Sequence, residues 1–126
     1  MGMPVFILVV GAIGLFAGVV GGLLGVGGGI VMVPAFIRFV GLETHRAVGT
    51  SMVVIVFTAI VASTKHWQAG NVDPKVAITA AALAVFGGYI GASFASSLPA
   101  RTLQMIFSGF LLIVAIDMGV RAFNME

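Results

Sequence analysis

The chain has 126 residues, of which 60% are apolar and 8% are charged, with six Lys or Arg and four Asp or Glu. Soluble domains carry roughly 25% charged residues, so ten charged side chains cannot cover a water-soluble fold of this length. The mean hydropathy of +1.22 agrees. A net charge of +2 is too small to form the basic surface that binds nucleic acid. Composition therefore favours a membrane protein and argues against a nucleic-acid partner.

The first charged residue is Arg38, so a long uncharged stretch opens the chain. As one straight helix this stretch would reach about 55 Å, nearly twice a hydrocarbon core of about 30 Å. Glycines interrupt it at positions 21, 22, 25, 27, 28 and 29, where helix propensity is low. We expect a full span over 4–23 and a shorter helix over 30–40. The shorter helix is bent at Pro34 and either crosses the membrane or re-enters it.

Three more apolar segments follow, over 47–64, 74–96 and 99–122. Asp73 before Pro74 is a typical N-cap followed by a first helical proline. Small residues at positions 80, 84 and 88 predict a face for close helix packing. The predicted fold is an all-α polytopic membrane protein with four full transmembrane helices. A short broken or re-entrant half-helix follows the glycine-rich segment, residues 21–29. We expect one unit over 1–126, a multi-pass protein of the cell membrane.

The glycine-rich segment is the first candidate site. Non-helical backbone at membrane depth is tolerated only where it is buried in protein or lines a wet cavity. A helix that starts directly after it presents free N–H groups and the positive end of its dipole, which suit an anion. The predicted binding residues are Gly25, Gly27, Gly28 and Gly29. The alternative is that these glycines serve close helix packing only, as the four-residue spacing of positions 14, 18 and 22 indicates.

A second candidate site lies at the start of the next span. Gly49 permits local unwinding, and the hydroxyls of Thr50 and Ser51 can donate to an anion. The same hydroxyls can instead cap the helix or bond back to its own carbonyls. Arg46 lies three residues before Gly49 and could attract anions, whereas the other cations fall at segment ends and suit snorkelling. Two interrupted helices are typical of the substrate sites of secondary transporters.

Two residues are candidates for proton coupling, Asp117 and His45. Asp117 can also simply pair with Arg121 at i+4. The loop or interface role is the favoured interpretation of His45 and His66, although a titrating histidine could serve coupling. The sequence has no cysteine and no Ser/His/Asp, paired-carboxylate or metal-ligand pattern at usable spacing. We therefore expect no enzyme activity, no metal and no cofactor.

The two motifs Gly22-Leu-Leu-Gly25-Val-Gly27-Gly28-Gly29, with Pro34 downstream, and Ala47-Val-Gly49-Thr50-Ser51 carry a family resemblance. At these residues the chain resembles the sulfite exporter TauE/SafE family of membrane transporters. Members of that family are typically about twice this length and carry two related halves, each with a glycine-rich motif. The resemblance implies that this chain is equivalent to one half. It also implies transport of a small anion such as sulfite, a sulfonate or a related organic anion.

The function expected on this basis is alternating-access transport of a small anion by a homodimer. If the half-helix returns to the side where the chain began, positive residues divide evenly between the two membrane sides, which leaves orientation unspecified. An antiparallel homodimer is therefore one possible assembly. A passive anion channel and a non-transporting subunit of a larger complex remain the alternatives.

Overall fold

The structure is a computed structural model that describes residues 1–125. Its helices are α1 (Met3–Leu24), α2 (Gly29–Ala35), α3 (Thr44–Gln68), α4 (Pro74–Ser97) and α5 (Ala100–Phe123), and a π-helical segment, Phe36–Val40, continues α2. Four of them, α1, α3, α4 and α5, are long and apolar enough to cross a membrane. The predicted fold class is confirmed, including the shorter helix after the glycine-rich segment.

The start of α4 shows how local sequence sets a helix boundary. Asp73 lies before the first helical residue, Pro74, whose missing N–H would have no partner there. The Asp73 Oδ1 accepts hydrogen bonds from the backbone N–H of Lys75 at 3.0 Å and of Val76 at 3.1 Å. The predicted N-cap is therefore confirmed.

A tight reversal in the glycine-rich segment joins α1 to α2. Gly25, Gly27 and Gly28 have φ values of 71°, 68° and 78°, a left-handed conformation that favours glycine. Gly28 also lies against Ala17, because a Cβ added at Gly28 would stand 2.5 Å from the Ala17 carbonyl oxygen. Helix α2 therefore begins beside Ala17, about two-thirds of the way along α1.

The 7 residues of α2 and the 5 of the π-helical segment extend about 18 Å, roughly half of a hydrocarbon core. Gly29 packs against Ile55, which lies about 17 Å from the start of α3. Because Val40 leads directly into the start of α3, α2 runs from mid-depth back to the side where α3 begins. The shorter helix is thus re-entrant, and its change to π-helix follows Pro34, which cannot donate to the helix ladder.

Two side-chain contacts fix the directions of the other helices. His66, near the end of α3, contacts Gly22, near the end of α1, so α1 and α3 run parallel. Gln104 Nε2 donates to the Thr44 hydroxyl at 2.8 Å, so α5 begins on the side where α3 begins. Three cations therefore lie on each membrane side: Arg38, Arg46 and Arg101 on one, and Lys65, Lys75 and Arg121 on the other.

The buried core belongs to the first three helices and the π-helical segment. It consists of Ala17, Met32, Val33, Phe36 and Ala47. Neither α4 nor α5 contributes a buried residue. The predicted small-residue face of α4 has no partner within residues 1–125, since a Cβ added at Gly88 or Gly91 would meet open space.

The reversal beside Ala17 generates a stability prediction. We expect Gly28→Ala to lower the free energy of unfolding by about 2–5 kcal/mol, because it adds backbone strain and a clash with the Ala17 carbonyl. Gly11→Ala is the control, since its Cβ would meet nothing within 4 Å. Thermal unfolding of both variants in detergent measures the difference, and equal melting temperatures would contradict the close approach.

Candidate functional site

A cavity of about 520 Å³ lies between the glycine-rich segment and α3. The lining comprises Gly21, Gly22, Gly25, Val26, Gly27, Ile55, Thr58, Ala59, Ala62, Ser63, His66 and Val72. The cavity thus reaches from Ile55, near mid-depth, to the end of α3 and the turn that follows it. Most of its wall is apolar, and its side-chain polar groups are two hydroxyls and one imidazole.

The glycine-rich segment brings unpaired backbone donors to this cavity. Within residues 1–125, the N–H groups of positions 26–30 donate to no carbonyl or side chain, whereas the N–H of Gly25 donates to Gly21 at 2.9 Å. Unpaired N–H groups at membrane depth cost several kcal/mol in lipid, roughly as for other buried polar groups. Since Val26 and Gly27 line the cavity, a polar occupant there can accept from the segment.

The opposite wall is one face of α3. Thr58, Ala62 and His66 follow one another at four-residue spacing, which places them on one helix face. The Thr58 hydroxyl donates to Ile55 at 3.1 Å and the Ser63 hydroxyl to Ile60 at 3.1 Å. A hydroxyl rotates freely and can turn its hydrogen to an acceptor in the cavity.

The predicted glycines divide between two positions. Gly25 and Gly27 line the cavity. Gly28 and Gly29 lie behind it, packed against Ala17 and Ile55. The binding role and the packing role considered from the sequence therefore fall to different glycines. Gly25 and Gly27 border the cavity, whereas Gly28 and Gly29 permit close packing.

The second predicted motif lies towards the other end of α3. Ser51 is buried, and its hydroxyl donates to the Val48 carbonyl at 2.8 Å, the back-bonded geometry named above as an alternative. Gly49 and Thr50 are exposed. Arg46 is exposed as well and lies about 14 Å along α3 from Ile55. The structure does not bring these residues to the cavity lining.

The coupling candidates also lie apart from the cavity. Asp117 pairs with Arg121 at 2.9 Å near the end of α5, with 58% of its side chain exposed. His45 is exposed in the first turn of α3. His66 does line the cavity, together with Thr58 and Ser63, and none of these three was predicted as a site residue. The face spacing of Thr58, Ala62 and His66 is the sequence pattern that could have found them.

The family model for "Sulfite exporter TauE/SafE" matches residues 3–123. The chain belongs to the sulfite exporter TauE/SafE family. Membership in this TauE/SafE family, together with the four apolar helices, makes it a multi-pass membrane protein.

Among known proteins, the chain is similar to "Probable membrane transporter protein YdhB" of Bacillus subtilis (strain 168). The two are 30% identical over 82 residues, which is 65% of this chain and 34% of the relative. The match thus spans about a third of the relative's length. No solved structure matches the chain.

If the cavity is filled with water, residues that line it are accessible to water-soluble reagents. Because the sequence has no cysteine, single introduced cysteines can be labelled without background. We expect a charged, water-soluble maleimide to label Ala59→Cys, because Ala59 lines the cavity. The neighbouring Ile60 is 60% exposed but lies outside the lining, so Ile60→Cys in the bilayer should resist the reagent. Equal labelling of the two variants in vesicles would show that the space is not a water-filled cavity.

Proposed function

We propose that this chain carries a small anion, such as sulfite, a sulfonate or a related organic anion, across the cell membrane. The anion binds in the cavity between the glycine-rich segment and α3. The single observation that carries the proposal is the pair of unpaired N–H groups of Val26 and Gly27, two residues that line that cavity. The family description names sulfite export, and the Bacillus relative is named as a membrane transporter.

Backbone donors suit the bilayer better than fixed cations do. An arginine at mid-depth would be costly to insert, whereas N–H groups that a broken helix leaves free add no net charge. The described lining contains no Lys or Arg. In the proposed site, Val26 and Gly27 present backbone N–H groups, and Thr58 and Ser63 present hydroxyls. Sulfite and sulfonates have several acceptor oxygens and can use donors from both walls.

The residues outside the lining have proposed roles that follow from their positions. Gly28 and Gly29 hold the reversal in place against Ala17 and Ile55. Arg46 lies on the side where α3 begins and raises the local anion concentration there. Gly49, Thr50 and Ser51 form part of the path between that side and the cavity when the protein changes conformation.

We further propose that the working unit is a homodimer. The chain exposes 9512 Å², whereas a compact fold of 12.9 kDa exposes about 6,300 Å². The difference of about 3,200 Å² exceeds the share of one subunit in an obligate dimer interface of about 2,000–5,000 Å². Helices α4 and α5, which have no buried residue, supply most of the surface available to a second copy.

Reconstitution of the purified chain in liposomes tests the transport proposal. We expect saturable flux of sulfite or sulfoacetate that a concentration gradient drives. Ala59→Phe should lower that flux about tenfold or more, equivalent to roughly 1.4 kcal/mol, because its ring fills the cavity. Ile60→Phe is the matched control, since Ile60 lies outside the lining.

The same experiment separates the alternatives. Flux that rises linearly with anion concentration, without saturation, would show that the chain is a passive channel. Absence of flux from a folded dimer would assign a non-transporting subunit and would overturn the transport proposal. Equal inhibition by both phenylalanine variants would move the site away from this cavity.

The dimer proposal predicts that bulk on the small-residue face of α4 weakens assembly. We expect Ala84→Leu to raise the dissociation constant about tenfold, or by 1–2 kcal/mol, as measured by single-molecule photobleaching in lipid. Ala82→Leu is the control because Ala82 lies about 160° around the helix from Ala84. A wild-type chain that stays monomeric at high density would contradict the proposal. Tags accessible from both membrane sides would support the antiparallel form.

A further inference from the structure

His66 links α3 directly to the glycine-rich segment. Its Nε2 lies 3.0 Å from the carbonyl oxygen of Gly22, a residue 44 positions earlier. Gly22 is in the last turn of α1, where carbonyl oxygens lack a donor from the helix itself. A carbonyl only accepts, so Nε2 carries the hydrogen. In the neutral ring this leaves Nδ1 with a free lone pair on an exposed side chain, and the contact of the ring with Gly22 is made by Nε2.

His66 is the one titratable side chain among the described residues that line the cavity. The elements that face it carry little charge. Helix α1, the glycine-rich segment and α2 have none before Arg38. On α3, the neighbouring Lys65 lies outside this cavity but lines the adjoining groove between α1 and α3, which His66 also borders. The turn after α3, which reaches the cavity through Val72, carries Asp73, followed by Lys75 in α4.

The two coupling candidates from the sequence are placed less favourably. Asp117 already has an ionic partner in Arg121. His45 lies in the first turn of α3, about 32 Å along the helix from His66. A proton carried by either group would not lie beside an anion in the cavity, whereas a proton on His66 would lie in the cavity lining.

Resting on the proposed anion transport, we propose that His66 couples proton binding to anion binding in this cavity. As a singly charged anion enters, Nδ1 takes up one proton from water, and the new Nδ1–H donates to the anion. The Nε2–H stays on the Gly22 carbonyl. The charges of imidazolium and anion then compensate near the end of α3, where the cavity reaches His66, which lowers the cost of anion entry. On release, the proton returns to water with the anion.

Calorimetric titration of the purified chain with methanesulfonate tests this in the wild type. This probe stays singly charged across the pH range used. Binding measured near neutral pH in two buffers of different ionisation enthalpy should reveal proton uptake of up to one per anion. An opposite charge within about 4–6 Å of an imidazole changes the affinity of the imidazole for a proton roughly tenfold or more. By thermodynamic reciprocity, protonation of the imidazole changes the affinity of the site for the anion by the same factor. The Kd should therefore weaken by up to about tenfold as the pH is raised.

The variant that isolates the coupling role is His66→Gln. A glutamine amide can still donate to the Gly22 carbonyl but cannot be charged. The contact with Gly22 and the Val26 and Gly27 donors therefore remain, while the Nδ1–H donor, proton uptake and the pH dependence disappear. His45→Gln is the rival variant. The inference is overturned if His66→Gln keeps the proton uptake and the pH-dependent Kd of the wild type. It is also overturned if His45→Gln removes them instead.

The outcomes separate this inference from the proposed function. Wild-type protein that binds methanesulfonate with no proton uptake and a constant Kd overturns the role of His66 and leaves anion binding standing. Wild-type protein that binds neither methanesulfonate nor sulfite at any pH overturns both. If His66→Gln fails to fold, the number of protons taken up by the wild type and by His45→Gln still tests the inference. Equal uptake by both supports it, and loss of uptake in His45→Gln overturns it.

Discussion

A hydrocarbon core offers no hydrogen-bond partner to a peptide N–H, so a helix that breaks inside it must find one elsewhere. In this chain the break falls between α1 and α2, and it leaves the N–H groups of positions 26–30 unpaired. The close approach of Gly28 to Ala17 holds the break at mid-depth. The half-helix, the cavity and the proposed anion site all follow from that placement.

The same constraint explains how few charged residues the protein needs at its centre. The described cations lie near helix ends, three on each side, and the cavity lining offers backbone groups, hydroxyls and one imidazole. A site built in this way binds an anion without a permanently buried cation. It also leaves its charge balance to a group that can gain and lose a proton, the role that we assign to His66.

Much of the fold could be predicted from the sequence, because bilayer thickness, proline and glycine set helix boundaries locally. The α4 start at Pro74 and the glycine break are examples. The site was only partly predictable. Gly25 and Gly27 were found because a broken helix is visible in sequence, whereas His66 was assigned to the interface. Its contact with Gly22 spans 44 positions and depends on the parallel packing of α1 and α3, which no local pattern encodes.

The central claim is that backbone N–H groups of the glycine-rich segment bind the anion. The most direct measurement is the ¹⁵N and ¹H chemical shift of each glycine amide in the chain, labelled with ¹⁵N-glycine in lipid nanodiscs, during a sulfite titration. We predict a saturable shift of the Gly27 amide, which is unpaired and lines the cavity, while Gly109 and Gly119 in α5 stay unchanged. Saturable binding that leaves the Gly27 amide unshifted would contradict the account.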